Sequence, residues 1–502
     1  MTEISRRIED LADELISEIL FFLVPAEDRS PSSSPVNSHA LLPGLNERRA
    51  HIYGEKTELD RFRLVCKRFL RISTPRKFTS FHLRFSRRGF RRLEELLHMQ
   101  LACHVKHFTY MVRPFYQESG NRLLNIQSSS LSGWSQFSTD DLPAAETHRA
   151  RLQEQVYILT GNHDRELLKK ALIAFSSLQE VKLLRLQDQA DEQLLDHIRE
   201  RSLEGTLGLN WEPACTRAIN SLGKALLVSK CTSVRFLGPQ IDPNAAFKLL
   251  QTPSATLSAI GARMACLEVT FHAQEDMTSL MQDLSRVFHD FFSAAKNLEA
   301  IHLGFATAVP LGLSLDQVFH RIQWKRLRKL SIQGWRLTSQ EIVAIIRRHR
   351  RQLRDVRIVN VTLRDGSRWS DVLSVLHDEM DEIEHIDLRE IDYVSGDCVH
   401  GIHSSSGHGS SHGVNYGNGN SSGAASSGFH YHHFLNTAVN INHLELAFAL
   451  LNLPHHASIP EVISNLSVDE LGDNGIHVTH EKRQIWEAWV LSSPRKIARR
   501  RA

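Results

Sequence analysis

The chain has 502 residues, 41% of them hydrophobic and 23% charged, with a formal net charge of only +3. That length outgrows one small core and implies a modest module joined to a larger body. The hydrophobic share falls below that of a compact domain because of polar tracts at 30–50, 119–150 and 396–433, and the remainder is able to fold. No apolar run approaches the roughly twenty residues needed to span a bilayer. Met1 to Asp10 is charged, unlike a signal peptide, so secretion and membrane anchoring are not expected. Six cysteines (Cys66, Cys103, Cys215, Cys231, Cys266, Cys398) include no Cys-x-x-Cys pair, which fits a reducing cytoplasmic and/or nuclear setting.

The first predicted element covers Leu11 to Leu23. Leu15, Ile19 and Phe22 form one helical stripe, and Ile16, Leu20 and Leu23 form the adjoining one. So wide an apolar face needs more than one partner. A second piece, Arg63-Leu-Val-Cys-Lys-Arg-Phe69, repeats the pattern: Phe62, Val65, Cys66 and Phe69 recur at three- and four-residue spacing, and Pro75 is expected to stop the helix. Together with Phe78-Thr-Ser-Phe-His-Leu83, these segments resemble the F-box of fungal substrate-receptor proteins over roughly the first eighty residues. Family members usually carry proline after the first leucine, where this chain has Ala12. The run from Glu27 to Thr57 separates the two pieces as an inserted loop, which costs little because closure entropy grows with the logarithm of length. An ordinary helical hairpin packed on the body is the plainer alternative.

From Arg61 to Arg92 there are twelve Lys or Arg and no acid, either a solvated rim or a surface for an acidic partner or phosphate backbone. Residues 81–163 read as a connecting region with a polar loop at 119–150.

From about 164 to 395, short strands alternate with helical stretches, and the strands share apolar positions one, four and six. The triplets are Leu178/Val181/Leu183, Cys231/Val234/Phe236, Met264/Leu267/Val269, Leu298/Ile301/Leu303, Leu327/Leu330/Ile332, Leu353/Val356/Ile358 and Ile383/Ile386/Leu388. The gap after Leu178 is wide enough for one further degenerate unit. Helices are expected at 164–176, 213–229, 277–295, 339–350 and 370–380. Such a unit leaves apolar surface bare until a neighbour stacks on it, so repetition itself stabilises the array. These units resemble leucine-rich repeats, with Leu337 and Leu363 at position eleven. The family's asparagine at position nine is replaced by Trp335, Val361 and Ile391, so buried turn amides must find other partners. The segment from Gln155 to Leu186 is also similar to the start of the receptor region of fungal F-box proteins. The fold class is therefore read as α/β: an N-terminal helical F-box module (1–80, with the inserted loop 27–57) and an irregular leucine-rich-repeat-like solenoid (164–395). A doubly wound domain is the alternative.

Gly396 to Phe434 is rich in Gly, Ser and His and reads as a disordered insert; 435–502 reads as a helical region, with helices near His443–Leu453 and Glu481–Leu491 and a basic tail at Arg495–Arg501. Enzyme motifs lack their required context. Gly409-Ser-Ser-His-Gly413 lies in low-complexity sequence, and Gly161-Asn-His-Asp164 has no companion motifs. Histidines 400, 403, 408, 412, 430, 432 and 433 are spaced by flexible glycine, which preorganises no metal site. No catalytic residue, metal or cofactor is expected.

The resemblance implies a substrate-recognition subunit of a Skp-cullin-F-box type ubiquitin ligase. Its N-terminal helices would bind the Skp-family adaptor, linked to a cullin scaffold, and its repeat body would hold a protein target. Leu11, Leu15, Ile16, Ile19, Leu20, Leu23, Val65, Cys66 and Phe69 are the candidate residues, divided between hairpin core and adaptor surface. A non-catalytic scaffold and a nuclear, nucleic-acid-associated regulator are the alternatives, the latter disfavoured.

Overall fold

The computed structural model describes residues 11–23, 58–118, 142–186, 189–200, 207–241, 246, 248–272, 276–306, 309–394, 463 and 466–493. The inserted loop 27–57, the Gly/Ser/His tract with its Gly-x-Ser-x-Gly string, the helix expected near His443 and the basic tail lie outside the described residues. Three short helices open the fold: α1 (Asp13–Leu23), α2 (Glu58–Arg63) and α3 (Lys67–Lys77).

Among the described residues twelve strands follow: β1 (Ser80–Arg84), β2 (His107–Val112), β3 (Phe115–Glu118), β4 (Glu180–Arg185), β5 (Leu207–Asn210), β6 (Val234–Ile241), β7 (Met264–His272), β8 (Ala300–Ala306), β9 (Lys329–Leu337), β10 (Asp355–Leu363), β11 (His385–Arg389) and β12 (Asp392–Tyr393). Ten belong to one sheet, in the order β1-β2-β4-β6-β7-β8-β9-β10-β11 with β12 beside β10, and every pair in it is parallel. Spatial order follows chain order without reversal. A doubly wound sheet reverses at a switch point, so that alternative is removed.

Helices fill the crossovers: α4 (Arg87–His98), α5 (Leu142–Leu159), α6 (His163–Ala174), α7 (Gln189–Glu200), α8 (Trp211–Val228), α9 (Ser254–Gly261), α10 (Thr278–Asp283), α11 (Ser285–Ala294), α12 (Leu315–Phe319), α13 (Ser339–Arg348) and α14 (Trp369–Asp378). α15 (His480–Leu491) closes the described chain. Right-handed crossovers between sequential parallel strands place helices on one face, and successive helices there touch: α6 with α8, α9 with α11, α13 with α14, α14 with α15. The helices begin where the sequence supplies caps. Thr338 and Glu341 form a capping box for α13, and Ser314 and Gln317 form one for α12.

The core is a set of cross-strand rows. Phe81, Phe108, Val181, Phe236, Leu267, Ile301, Leu330, Val356 and Ile386 stand in register from β1 to β11. Seven of the nine are buried in one hydrophobic core with the covering helices, and half-buried Phe236 and Leu267 pack against it. Two features differ from the sequence reading. First, the sheet begins at β1 and β2, ahead of residue 164, because Phe81 and Phe108 head the same row. Second, the triplet Cys231/Val234/Phe236 is out of frame by two residues: Val181 pairs with Phe236, and a register shift separates Val234 from Arg235. The bulge admits Leu237 to the opposite face, where it packs on Cys266 and Ala300.

The wide gap after Leu178 holds no further sheet unit. β4 neighbours β6 directly, and β5 pairs antiparallel with β3 as a separate ribbon. Buried Asp191 on α7 ties that ribbon down, accepting the Tyr116 hydroxyl at 2.5 Å and facing Arg113 and Arg151 at 3.5 and 3.4 Å. A buried carboxylate is tolerable only with such partners.

The missing position-nine asparagine is answered by backbone. Position eight is left-handed in the last three units, at Gly334 (φ 75°), Asn360 (φ 48°) and Glu390 (φ 52°). The kink turns Trp335, Val361 and Ile391 into the core, each no more than 2% exposed. The chain then resumes pairing, with Val361 opposite Trp335 and Leu363 opposite Leu337. Loop amides are satisfied similarly: Arg336 N–H donates to Leu311 O and Arg364 N–H to Leu337 O, both at 2.8 Å.

A Cβ at Gly334 would lie 1.8 Å from the Phe305 carbonyl oxygen. Asn360 and Glu390 hold the same conformation with side chains, so glycine is demanded at 334 by that close approach. Gly334→Ala is expected to destabilise the protein by about 2–4 kcal/mol through left-handed strain plus overpacking. Asn360→Gly should stay within about 1 kcal/mol of wild type, and urea unfolding of both variants checks the contrast.

Candidate functional site

The N-terminal module is held by a small core of its own. Ile16 and Leu20, one turn apart on α1, are buried against Leu59 and Phe69, with Leu11, Phe62, Cys66 and Ile72 around them. Phe62 and Phe69 stack with ring centroids 4.3 Å apart. Cys66 caps α3, its Sγ accepting the Phe69 N–H at 3.5 Å. Pro75 does not stop α3, which runs on to Lys77. The proline sits in the last turn, where only the bond to the Arg71 carbonyl is lost. Ser73 and Thr74 hydroxyls bond the Phe69 and Leu70 carbonyls at 2.6 and 2.7 Å beside it.

Charge fixes α1 on α3. Asp13 accepts Arg68 Nε at 2.7 Å and Arg71 Nη2 at 2.8 Å, while Arg68 Nη2 also donates to the Leu11 carbonyl at 2.6 Å. The Arg68 hydrogen bond is the main reason the Asp13 carboxyl sits below the usual carboxylate range. Arg76 donates to Ser17, and Lys77 to Asp60, each at 2.8 Å. Farther along, the Arg63 and Arg87 guanidiniums lie over the rings of Phe78 and Tyr157. Six cations of the basic run thus make contacts within the fold.

The other apolar face stays in solvent. Leu15 is 49% exposed, Ile19 38% and Phe22 67%; on the turn between α2 and α3, Leu64 is 70% and Val65 58% exposed. Phe21 and Leu70 are exposed as well. The candidate residues therefore divide: Ile16, Leu20 and Phe69 make the internal core, Leu11 and Cys66 are half-buried at its border, and Leu15, Ile19 and Val65 face outward. Leu23 ends α1, and its side chain lies outside the description. The division follows the two stripes read from periodicity. Phe21, Leu64 and Leu70 escaped that reading; a Leu-Val pair directly ahead of the Cys66 cap was the available signal.

Asp164 of the Gly161–Asp164 string is buried and gripped by Arg217 at 2.7 and 2.8 Å, so it closes α6 onto α8. On the sheet face opposite the helices, Lys182, Glu268, His302, Ser331, Arg357 and Asp387 share one row. Asp355 on the neighbouring row is faced by Lys329 at 3.7 Å and Arg357 at 3.5 Å. His302 bridges the Ser331 and Thr270 hydroxyls at 2.7 and 3.2 Å, and burial pushes its imidazole down to about 4. Among the described residues no group of three or more His, Cys, Asp or Glu could hold a metal ion. No described helix is long and apolar enough to cross a membrane.

No family model matches the chain, and no curated protein matches it. Among solved structures it is similar to the crystal structure of a Rad7 and Elc1 complex in yeast, at 13% identity and a TM-score of 0.25. The likeness covers 45% of this chain and 54% of that one, so the chain spans about half the length of that neighbour. So loose a likeness assigns neither partner nor activity.

Leu20→Ala is expected to destabilise the module by about 2–5 kcal/mol, whereas Leu15→Ala should shift it by less than about 0.5 kcal/mol. Amide hydrogen exchange across α1 and α3 separates the two outcomes.

Proposed function

We propose that this chain is the substrate-recognition subunit of a Skp-cullin-F-box type ubiquitin ligase. One observation carries the reading: α1 and the α2–α3 turn present Leu15, Ile19, Phe22, Leu64 and Val65 to solvent after the same helices have already filled their own core. Exposed apolar faces of this kind mark surfaces that another protein covers. In this reading the outward face receives the Skp-family adaptor, which joins the chain to a cullin and a RING subunit in the cytoplasm or nucleus. The polar face of the parallel sheet, with its rows of charged and hydroxyl side chains, receives the protein to be modified.

The contribution is proximity. Holding a target lysine near a charged ubiquitin carrier raises its effective concentration without any bond being made or broken by this chain. The chain is accordingly proposed to be non-catalytic, with neither metal nor cofactor. The division between core and outward residues makes adaptor binding separable from folding.

Leu15→Asp combined with Ile19→Asp is expected to abolish capture of the Skp-family adaptor in a pull-down while leaving far-ultraviolet circular dichroism unchanged, since neither side chain belongs to the module core. Undiminished capture by the folded double variant would refute the docking assignment.

A further inference from the structure

On the polar face of the sheet, β7, β8 and β9 bring six residues together in two rows. The lower row is Glu268, His302 and Ser331, and the upper row is Thr270, Gly304 and Gln333. Glycine at the centre of the upper row lets its neighbours close in. The point where a Cβ of Gly304 would stand has His302 Nε2 and Thr270 Oγ1 at 3.0 Å and Gln333 Oε1 at 3.1 Å. Three polar atoms from three strands thus converge where any other residue would push them apart, and a glycine so placed inside a strand marks a close approach of backbone and ligand.

The converging groups are acceptors. His302 is neutral, because burial pushes its imidazole down to about 4, and it lies between the Ser331 and Thr270 hydroxyls. A neutral ring has one N–H, and whichever nitrogen carries it, Thr270 Oγ1 keeps a lone pair to offer. The Gln333 amide has no hydrogen-bond partner among the described residues, and its oxygen is turned to the same spot. Glu268, one strand over from His302, receives only the Cys266 thiol, at 3.8 Å, and makes no ion pair among the described residues. The cations that act on it are engaged elsewhere, Arg357 with Asp355 at 3.5 Å and Arg235 with Glu180 at 3.9 Å. Burial accordingly pushes the Glu268 carboxyl above its ordinary range, with Arg235 and Arg357 opposing the shift without cancelling it. Glu268, His302, Ser331 and Gln333 are half-buried and not sealed, so a ligand can reach them.

Carboxyl, hydroxyl and amide oxygens side by side, with no bonded cation of the chain among them, match a group that carries a positive charge and several N–H donors. We propose that this patch is a binding site for a basic side chain, arginine or lysine, of the protein held on the sheet face, with the ligand's N–H groups donating to Glu268, Thr270 and Gln333. The site deepens the substrate-receptor reading and rests on it for the source of that side chain.

The probes are three blocked tripeptides, acetyl-Gly-X-Gly-amide with arginine, lysine or citrulline at X, titrated into the isotope-labelled full chain. Citrulline keeps the shape of arginine without its charge. The Gly304 amide resonance is expected to follow both charged peptides, each binding at least about tenfold more tightly than the citrulline peptide. In Glu268→Gln that preference should vanish. Equal binding of all three, binding that leaves Gly304 unmoved, no binding, or a preference that survives in Glu268→Gln overturns the proposal. If Glu268→Gln does not fold, the wild-type Glu268 carboxyl carbon decides: a shift that saturates with the charged peptides supports the site, and none contradicts it. Adaptor capture is scored in parallel, since it belongs to the N-terminal module. Capture without a cationic preference refutes this site and spares the docking assignment; the preference without capture does the reverse.

Discussion

A single row of side chains, running from Phe81 on β1 to Ile386 on β11, is the constraint on which the rest of the structure depends. Each strand contributes one residue to the row, and the one or two helices of each crossover cover it. No strand buries its apolar face alone, so the units are stable only as neighbours. The parallel register, the one-sided helix layer and the sequential strand order all follow from keeping that row intact. The same requirement explains the left-handed residues at Gly334, Asn360 and Glu390. The kink there swings position nine inward, so Trp335, Val361 and Ile391 extend the core.

The N-terminal module obeys a different economy of surface. α1 is apolar on two adjoining stripes, and its packing on α3 can bury only one of them. Ile16 and Leu20 turn inward onto Leu59 and Phe69, and the Asp13 contacts with Arg68 and Arg71 tie α1 to α3 in that orientation. The other is left to solvent with Leu64 and Val65 beside it. Under the proposed assignment, the surface that folding leaves bare is the surface that a second protein takes up. The repeat body then acts as a rigid arm whose polar face is free to differ without disturbing the core row. Rigidity matters because proximity works only when the held group cannot wander.

Much of this was legible in the sequence, and the illegible parts have identifiable causes. Six of the seven triplets lie in the frame read from spacing, because aliphatic residues at positions one, four and six are what a half-covered parallel strand requires. β1 and β2 passed unrecognised although Phe78/Phe81/Leu83 and Val105/Phe108/Tyr110 carry the same spacing, since aromatic side chains stand where aliphatic ones were sought. The second triplet was misframed because Val234, Phe236 and Leu237 are all apolar, and only the backbone irregularity beside Val234 reveals which joins the row. The ribbon of β3 and β5 has no periodic signature, and Gln155 and Asp191, which hold Tyr116 of β3, come from helices that follow it in the chain. In the module, periodicity separated the two stripes, but which one faces inward depends on packing against Leu59 and Phe69, distant in sequence.

The central claim is that the outward stripe of α1 and the α2–α3 turn form a protein-docking surface distinct from the module core. Its most direct test compares amide hydrogen exchange of the full chain with and without a saturating Skp-family adaptor. Slowed exchange confined to the segments around Leu15–Phe22 and Leu64–Leu70, with the sheet from β4 to β11 unchanged, is the predicted result. Slowing on the polar sheet face in place of those segments, or none anywhere, would contradict it.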